Sequence, residues 1–311
     1  MSLINKRIHQ RILEKKKRLD SHRPLSPALV ARLRNEFMIE YTYDSNAIEG
    51  NTLTIRETRL VIEEGITIGG KSIKEHLEAR NHPEAIKFIE NVVKMGNEIN
   101  EETVLHLHEL ILHDIEEDAG QYRTSGVRIA GATFTPPPSN EIRPMMIKLL
   151  KWLRENPDEL VPIELAAVFH HRLVKIHPFS DGNGRIARLL MNGILFKYRY
   201  PFIINITAKD REKYLRNLSE ADMGNTKALV NFIARSVERV FDVYLQVVEE
   251  PEVLSLSEAS KISPYTQEYL SLLARKGTVG AFKKGRNWYI TREELDRYLK
   301  SIEAKKNKSM N

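Results

Sequence analysis

Residues 177–188, HPFSDGNGRIAR, stand between two segments whose apolar residues recur at helical spacing. The segment before them, 162–176, is apolar along most of its length, and the segment after them runs from 184 to 198. One stripe of the second helical wheel holds Ile186, Leu189, Leu190, Gly193 and Ile194. Such a stripe faces a protein core. The pattern therefore predicts two core helices joined by a short, polar loop.

The start of the second helix carries residues that suit an anion. Gly182 and Gly184 allow a tight turn and a close approach of the backbone to a ligand. The first turn of a helix presents unpaired N–H groups, which attract anions. Arg185, Arg188 and Asn192 fall on the face opposite the apolar stripe. We therefore expect both guanidinium groups to meet an anion or a carboxylate.

His177 and Asp181 supply two further groups that phosphate chemistry uses. We expect Pro178 to hold His177 in an extended conformation, where its imidazole can take a proton from an attacking hydroxyl. Asp181 offers the hard oxygen that Mg²⁺ prefers. The set favours transfer of a phosphate-containing group. A capped helix with surface charges and a structural histidine explains each residue singly, but not the whole ordered set.

The stretch resembles the Fic (Fido) family motif, H-P-F-x-D/E-G-N-G/K-R-x-x-R, and agrees with it at every specified position. The resemblance extends over residues 30–245 or so. It implies a mainly α protein with a Fic/Fido helical core and a β-hairpin flap. It also implies a protein adenylyltransferase (AMPylase), which transfers AMP from ATP, with Mg²⁺, to a Ser, Thr or Tyr hydroxyl of a protein target or of itself. Phosphoryl transfer is disfavoured because family members with that activity have lysine in place of Gly184.

The resemblance implies a role for most residues of the loop. His177 is the base that deprotonates the target, Asp181 holds Mg²⁺, and Phe179 packs under the loop. The residues implied to bind the nucleotide are Gly182, Asn183 and Gly184 around the phosphates, Arg185 as a clamp, Arg188 at the γ-phosphate and Tyr214 beside the adenine. For Tyr214, a half-buried core position is the alternative.

Residues 45–50, SNAIEG, match the inhibitory motif S/T-x-x-x-E-G/N of the same family through Ser45, Glu49 and Gly50. Their position before the loop resembles class II, in which the inhibitory helix is N-terminal. An arginine shaped for a γ-phosphate also takes a carboxylate, in a bidentate pair, so we expect Glu49 to pair with Arg188 and block productive ATP binding. An ordinary exposed glutamate is the alternative. Some relatives use the same glutamate to remove AMP, which leaves de-AMPylation open.

Residues 120–143 contain alternating apolar residues, three glycines and three consecutive prolines, a pattern that predicts a short hairpin or flap. The resemblance implies that Val127, Arg128 and Ile129 align an extended target segment by strand addition. Elsewhere the spacing predicts helices at 30–48, 54–64, 72–95, 101–116, 141–155 and 209–248.

Residues 65–72, GITIGGKS, satisfy the phosphate-binding pattern G-x-x-x-x-G-K-S, but a charged helical segment precedes them in place of a buried strand. We therefore expect a loop between helices. The histidines at 106, 108 and 113 and the pair at 170 and 171 lack the carboxylate spacing of a zinc site. We expect them to be core or surface residues.

Residues 251–303 form a separate C-terminal module. The sequence predicts a helix at 256–262, a second helix from Ser263 to Lys276, a hairpin turning at 283–287 and a last helix capped by Thr291 and Glu294. The module resembles an excisionase-type winged helix-turn-helix. Its basic residues Arg275, Lys276, Lys283, Lys284 and Arg286 are suitably placed for DNA phosphates. A protein-binding or dimerising module without DNA is the alternative.

Charge and composition limit the other classes. Residues 1–34 carry ten Lys and Arg against two Asp and Glu, and residues 251–311 carry twelve against seven, so the basic ends flank an acidic middle. With no cysteine, disulfides and Cys-ligated zinc are excluded. No apolar run reaches a membrane span, and no signal peptide is visible, which favours the cytoplasm.

The predicted organisation has four parts: an N-terminal helical region with the inhibitory helix (1–95), a Fic catalytic core (96–248), the winged helix (251–303) and a basic tail (304–311). A homodimer is plausible because relatives dimerise. The rival function is a DNA-binding regulator that uses the Fic core as a nucleotide sensor.

Overall fold

A computed structural model describes residues 2–128, 134–249, 252–284 and 286–308. The chain forms two compact units, 1–245 and 246–311. The predicted boundary at 95 falls inside the first unit. None of the described helices combines the length and hydropathy that crossing a bilayer requires.

The first unit is built of helices, as predicted. In chain order they are α1 (Lys6–Ser21), α2 (Pro27–Ile48), α3 (Ile55–Glu64), α4 (Ile73–Lys94), α5 (Glu101–Leu112), α6 (Ser139–Glu155), α7 (Pro162–Ile176), α8 (Asn183–Lys197), α9 (Arg211–Asp222) and α10 (Thr226–Glu249). Side-chain caps define several starts: Ser26 caps α2, and Thr54 and Ser72 form capping boxes at α3 and α4. Each cap satisfies N–H groups that the first turn would leave unpaired.

Helices α7 and α8 lie at the centre of this unit, with α4 packed against α8. Almost every residue of α8 is buried, from Asn183 to Leu195. The predicted apolar stripe is therefore correct, but the opposite face is not exposed. Arg185, Arg188 and Asn192 are buried too, so their polar groups must find partners inside the protein.

Two helices end differently from the prediction. Helix α5 stops at Leu112 rather than 116, because His113 leaves the helical region and Asp114 has a φ of 59°. The helix predicted at 209–248 is a short 3-10 turn followed by α9 and α10. Gly224, with a φ of 95°, lies between these two helices, a conformation that glycine adopts without strain.

The segment 65–72 is a loop between α3 and α4, as predicted. Gly65 ends α3 in the left-handed conformation. The Nζ atom of Lys71 donates to the carbonyl and the hydroxyl of Thr52, at 2.6 and 2.9 Å.

The second unit packs three helices on a small antiparallel sheet. Its elements are β1 (Val253–Ser255), α11 (Leu256–Lys261), α12 (Gln267–Arg275), β2 (Ala281–Lys284), β3 (Asn287–Thr291) and α13 (Arg292–Lys308). The strand order is β1-β3-β2, with Leu254 opposite Ile290 and Phe282 opposite Tyr289. The predicted hairpin is present. Helix α12 begins at Gln267 rather than Ser263, because Thr266 supplies its cap.

Candidate active site

The loop between α7 and α8 begins at a left-handed residue. His177 ends α7 with a φ of 50° and a ψ of 61°, and its N–H donates to Leu173 O at 3.0 Å. The expected extended conformation is therefore wrong. Pro178 disfavours the right-handed helical region for the residue before it, and the helix instead closes with a left-handed cap that satisfies a terminal carbonyl.

The side chain of Asn183 closes the loop. Its Oδ1 accepts the N–H of Phe179 at 3.0 Å, and its Nδ2 donates to Phe179 O at 2.9 Å. Phe179 is fully buried and stacks on His108, with 3.8 Å between ring centroids. Asn183 Nδ2 uses one of its two N–H groups in this contact, so its second amide N–H and its backbone N–H remain as donors. The expected contact of Asn183 with phosphates stays a prediction.

The first turn of α8 is open to an anion. No side chain caps α8 among the described residues, so its first N–H groups lack helical partners. Gly182 precedes them with a φ of 77°, and an added Cβ would lie 2.9 Å from Ile111 Cδ1. Both its conformation and this space require glycine.

Arg185 lies under the loop and is 1% exposed. Its Nη1 donates to Glu78 Oε1 at 3.0 Å, and its Nη2 lies 3.3 Å from Asp181 Oδ1. Its Nε is buried without a hydrogen-bond partner among the described residues. The prediction that this side chain faces an anion or a carboxylate is met by two carboxylates. Glu78 lies outside the loop motif, and its spacing in the sequence gives no signal of this role.

Arg188 and Glu49 form the expected contact. Arg188 Nη2 donates to Glu49 Oε1 at 2.8 Å and to Ser45 O at 2.8 Å, while its Nε donates to Ser45 Oγ at 3.1 Å. A bidentate pair was expected, but only one bond joins the two side chains. Ser45 accepts the other bonds from Arg188, and Nη1 has no partner among the described residues. Burial would lower the pKa of Arg188, but Glu49 raises it above its ordinary value.

Glu49 is placed there by the end of α2. It is the C-cap of that helix, and Gly50 follows with a φ of 106°. The glycine turns the chain after the helix, and the Glu49 side chain is 37% exposed at the mouth of the site.

The imidazole of His177 has one committed nitrogen. Nδ1 lies 3.3 Å from Val174 O and must donate to that carbonyl, which leaves Nε2 to accept a proton. Burial lowers the pKa of His177 below its ordinary value. The side chain is therefore neutral at neutral pH, as a general base requires.

The Asp181 carboxylate is surrounded by donors. Oδ1 accepts the N–H of Gly182 at 2.6 Å, and Oδ2 accepts from Lys74 Nζ at 3.2 Å. Burial would raise the pKa of Asp181, but Arg185, the Gly182 N–H and Lys74 together lower it. The group is ionised, and its side chain is 39% exposed. Lys74 lies outside the loop motif and was not predicted from the sequence.

Tyr214 is buried rather than half-buried, at 2% exposure, and its hydroxyl lies 3.0 Å from His170 Nε2. His171 Nε2 lies 2.8 Å from Asp222 Oδ1. His108 and His170 are core residues, as predicted. Within the described ranges, no group of three or more His, Asp or Glu could hold a metal ion on its own.

The flap segment is described only in part. Val127 and Arg128 lie in a loop, while Ile129 is outside the described residues. The described residues 120–128 and 134–138 form no strand, so the hairpin stays a prediction.

Comparison with known proteins shows the family. A family model described as the Fic/DOC family matches residues 98–195. A crystal structure of a Fic-domain-containing signalling protein from Bacteroides thetaiotaomicron is 30% identical. The similarity covers 77% of this chain and 97% of that one, with a TM-score of 0.73. The chain belongs to the Fic family.

Other Fic proteins extend the comparison. Two curated relatives named protein adenylyltransferase Fic, from Nematostella vectensis and Drosophila ananassae, are 37% and 36% identical over 71% of this chain. This chain spans 52% and 44% of their lengths, or about half. A Fic family protein from Desulfovibrio desulfuricans, 22% identical, shares the fold over 92% of this chain and 96% of its own, with a TM-score of 0.66.

Proposed function

We propose that this Fic protein transfers AMP from ATP to a hydroxyl of a protein side chain and inhibits itself through Glu49. One observation carries the proposal: His177 stands at the edge of a helix start that holds two buried arginines. Among the described residues, its Nε2 has no partner and no side chain caps that helix. Curated relatives named as adenylyltransferases support the same activity.

The groups that the fold leaves unsatisfied suit a triphosphate. Arg185 Nε and Arg188 Nη1 are buried donors without partners in the described part of the chain, and such donors carry a free-energy penalty until an acceptor arrives. The first N–H groups of α8 add further donors. Asp181 is ionised and accessible. It would hold Mg²⁺, which would neutralise charge on the phosphates.

Each bond and proton of the transfer can be assigned with these residues. The target hydroxyl oxygen bonds to the α-phosphorus, its proton passes to His177 Nε2, and the bond from the α-phosphorus to the bridging oxygen breaks to release pyrophosphate. The flap residues Val127, Arg128 and Ile129 would hold the target segment, and Tyr214 would back the adenine.

Glu49 is proposed as the brake because its carboxylate occupies an arginine that an anionic phosphate would otherwise contact. The same carboxylate near the loop also suits activation of water for AMP removal, which is the alternative reaction at this site.

The test uses the Glu49→Gly variant incubated with Mg-ATP. We expect self-modification by AMP to rise at least tenfold over the wild type, measured by intact-protein mass spectrometry, because the nucleotide no longer competes with a carboxylate. Glu49→Gly/His177→Ala is the matched control: it should bind ATP but show no adduct. Equal labelling of both variants would remove His177 as the base, and no adduct on either would overturn the proposed activity.

As a second candidate function, we propose that the second unit binds DNA. Arg275, Lys276, Lys283 and Arg286 are exposed at the end of α12 and around the β2–β3 hairpin. Clustered exposed cations favour phosphate contacts.

A further inference from the structure

Arg123 lies at the base of the flap segment and is 3% exposed. Each of its three guanidinium nitrogens donates to a different backbone carbonyl. Nε donates to His177 O at 2.8 Å, Nη1 to Ser125 O at 2.7 Å and Nη2 to Pro137 O at 2.6 Å. The Arg123 backbone N–H also donates to Pro178 O, at 3.0 Å.

These carbonyls belong to three separate parts of the site. Ser125 precedes the flap residues Val127–Ile129, and Pro137 follows them. His177 carries the proposed base. A single guanidinium therefore ties both ends of the flap segment to the residue whose Nε2 receives the proton.

Burying the Arg123 guanidinium costs free energy, and the filling of space alone does not explain that cost. Burial lowers the pKa of Arg123, and no carboxylate among the described residues offsets this effect. A buried cation without a counter-ion is destabilising unless hydrogen bonds compensate it. The carbonyl it fixes belongs to His177, whose left-handed backbone is uncommon for a residue other than glycine and persists only where its surroundings hold it.

We propose that Arg123 is a positioning residue that sets the register between the flap and His177, so that a hydroxyl presented by the flap meets Nε2. The inference rests on the proposed AMP transfer. The planar fork of arginine is required, because three carbonyls in different directions match its fixed donors, whereas the single ammonium of lysine cannot reproduce that geometry.

The test compares variants in the Glu49→Gly background. Arg123→Lys keeps the charge, and Arg123→Gln keeps a planar donor group on a shorter, uncharged side chain. The rate of self-modification at saturating Mg-ATP and the ATP concentration that gives half that rate are measured by mass spectrometry. Thermal unfolding tests whether each variant still unfolds cooperatively.

We expect Arg123→Lys to lower the saturating rate by about 100-fold, the loss that a misplacement of about 1 Å can produce. The half-saturating ATP concentration should stay within about twofold, because α8 and not the flap supplies the proposed phosphate contacts. Arg143→Lys is the matched control. Arg143 is exposed and pairs with Glu101 on the surface, so its replacement should change neither value.

Two results would overturn the inference. In the first, Arg123→Lys transfers AMP as fast as its Glu49→Gly parent. In the second, only the half-saturating ATP concentration rises, or the rate falls together with a loss of cooperative unfolding, which assigns Arg123 to the scaffold. Absence of transfer by the Glu49→Gly parent is a different failure, because it removes the proposed function itself.

Discussion

The single residue Gly184 leaves space beside the first turn of α8 for the side chains of Glu49 and Arg188. A Cβ at this position would overlap Glu49 Oε1 and lie 3.1 Å from Arg188 Nη1. The Glu49 carboxylate is the far end of a flexible side chain, so it can move away while the helix stays in place. The bare glycine thus leaves the space in which Glu49 reaches Arg188.

The change Gly184→Ala is therefore expected to displace Glu49 and to tighten ATP binding. A gain of about 1.4 kcal/mol, or tenfold in Kd, is a reasonable scale for losing one competing carboxylate. Isothermal titration with Mg-ATP measures the effect.

A double variant separates this mechanism from simple crowding of the nucleotide. If Gly184→Ala acts through Glu49, adding it to Glu49→Gly brings no further gain, and the two changes are non-additive. Weaker binding in both backgrounds would mean that the new methyl group obstructs the phosphates.

The sequence located the main residues of the candidate site but not the contacts that hold them. The motif identified His177, Asp181 and Arg188, because their spacing along one loop and one helix is local information. Lys74 and Arg123 carry no local signal. They meet the loop only through the packing of distant segments, and one-dimensional spacing does not encode that packing.

At the scale of elements, periodicity predicted the core helices well, since apolar spacing reports the buried face directly. Periodicity did not show that the other face of α8 is buried as well, because the spacing of arginine and asparagine does not tell whether they have buried partners. It also missed β1, a three-residue strand whose pairing with β3 depends on residues far along the chain.

Exposed cations lie at the end of α12 and around the β2–β3 hairpin. If the hairpin contacts DNA phosphates, Lys283→Glu/Arg286→Glu should weaken binding to a random-sequence duplex and flatten its salt dependence by about 2 in log–log slope. Mobility shifts at salt concentrations between roughly 50 and 200 mM measure both effects.

The control for this pair is Lys300→Glu, an exposed cation on α13 that changes charge without touching the hairpin. Equal losses for both variants would indicate non-specific attraction. No binding of the wild type to any duplex at low salt would favour a protein-binding module, in keeping with the exposed Tyr269 and Leu272 on α12.

At the scale of the whole molecule, the two units differ in their histidines. All ten histidines of the chain lie before residue 246. Burial lowers the pKa of His170 to about 3, that of His108 to about 4, and that of His82 well below its ordinary value. In the unfolded chain these groups take up protons near pH 6.5, whereas in the folded unit they stay neutral.

The sign of the linkage follows from that difference. Below about pH 6.5 the unfolded state binds more protons, so the free energy of unfolding of the first unit falls as pH falls, by up to about 1.4 kcal/mol per pH unit for each such histidine. Carboxylates titrate mainly below roughly pH 5.5. Between about pH 7.5 and 5.5, the free energy of unfolding of the second unit, which has no histidine, should therefore change little.

Each unit contains one of the two tryptophans, Trp152 and Trp288, so fluorescence can follow each separately. In Trp288→Phe, urea unfolding reported by Trp152 should shift to lower urea between pH 7.5 and 5.5. In Trp152→Phe, the transition reported by Trp288 should stay in place.

His170→Gln should reduce the acid shift of the first unit, and His113→Gln, at an exposed position, should not. Equal shifts in both units, or none in the first, would contradict the assignment of acid sensitivity to buried histidines.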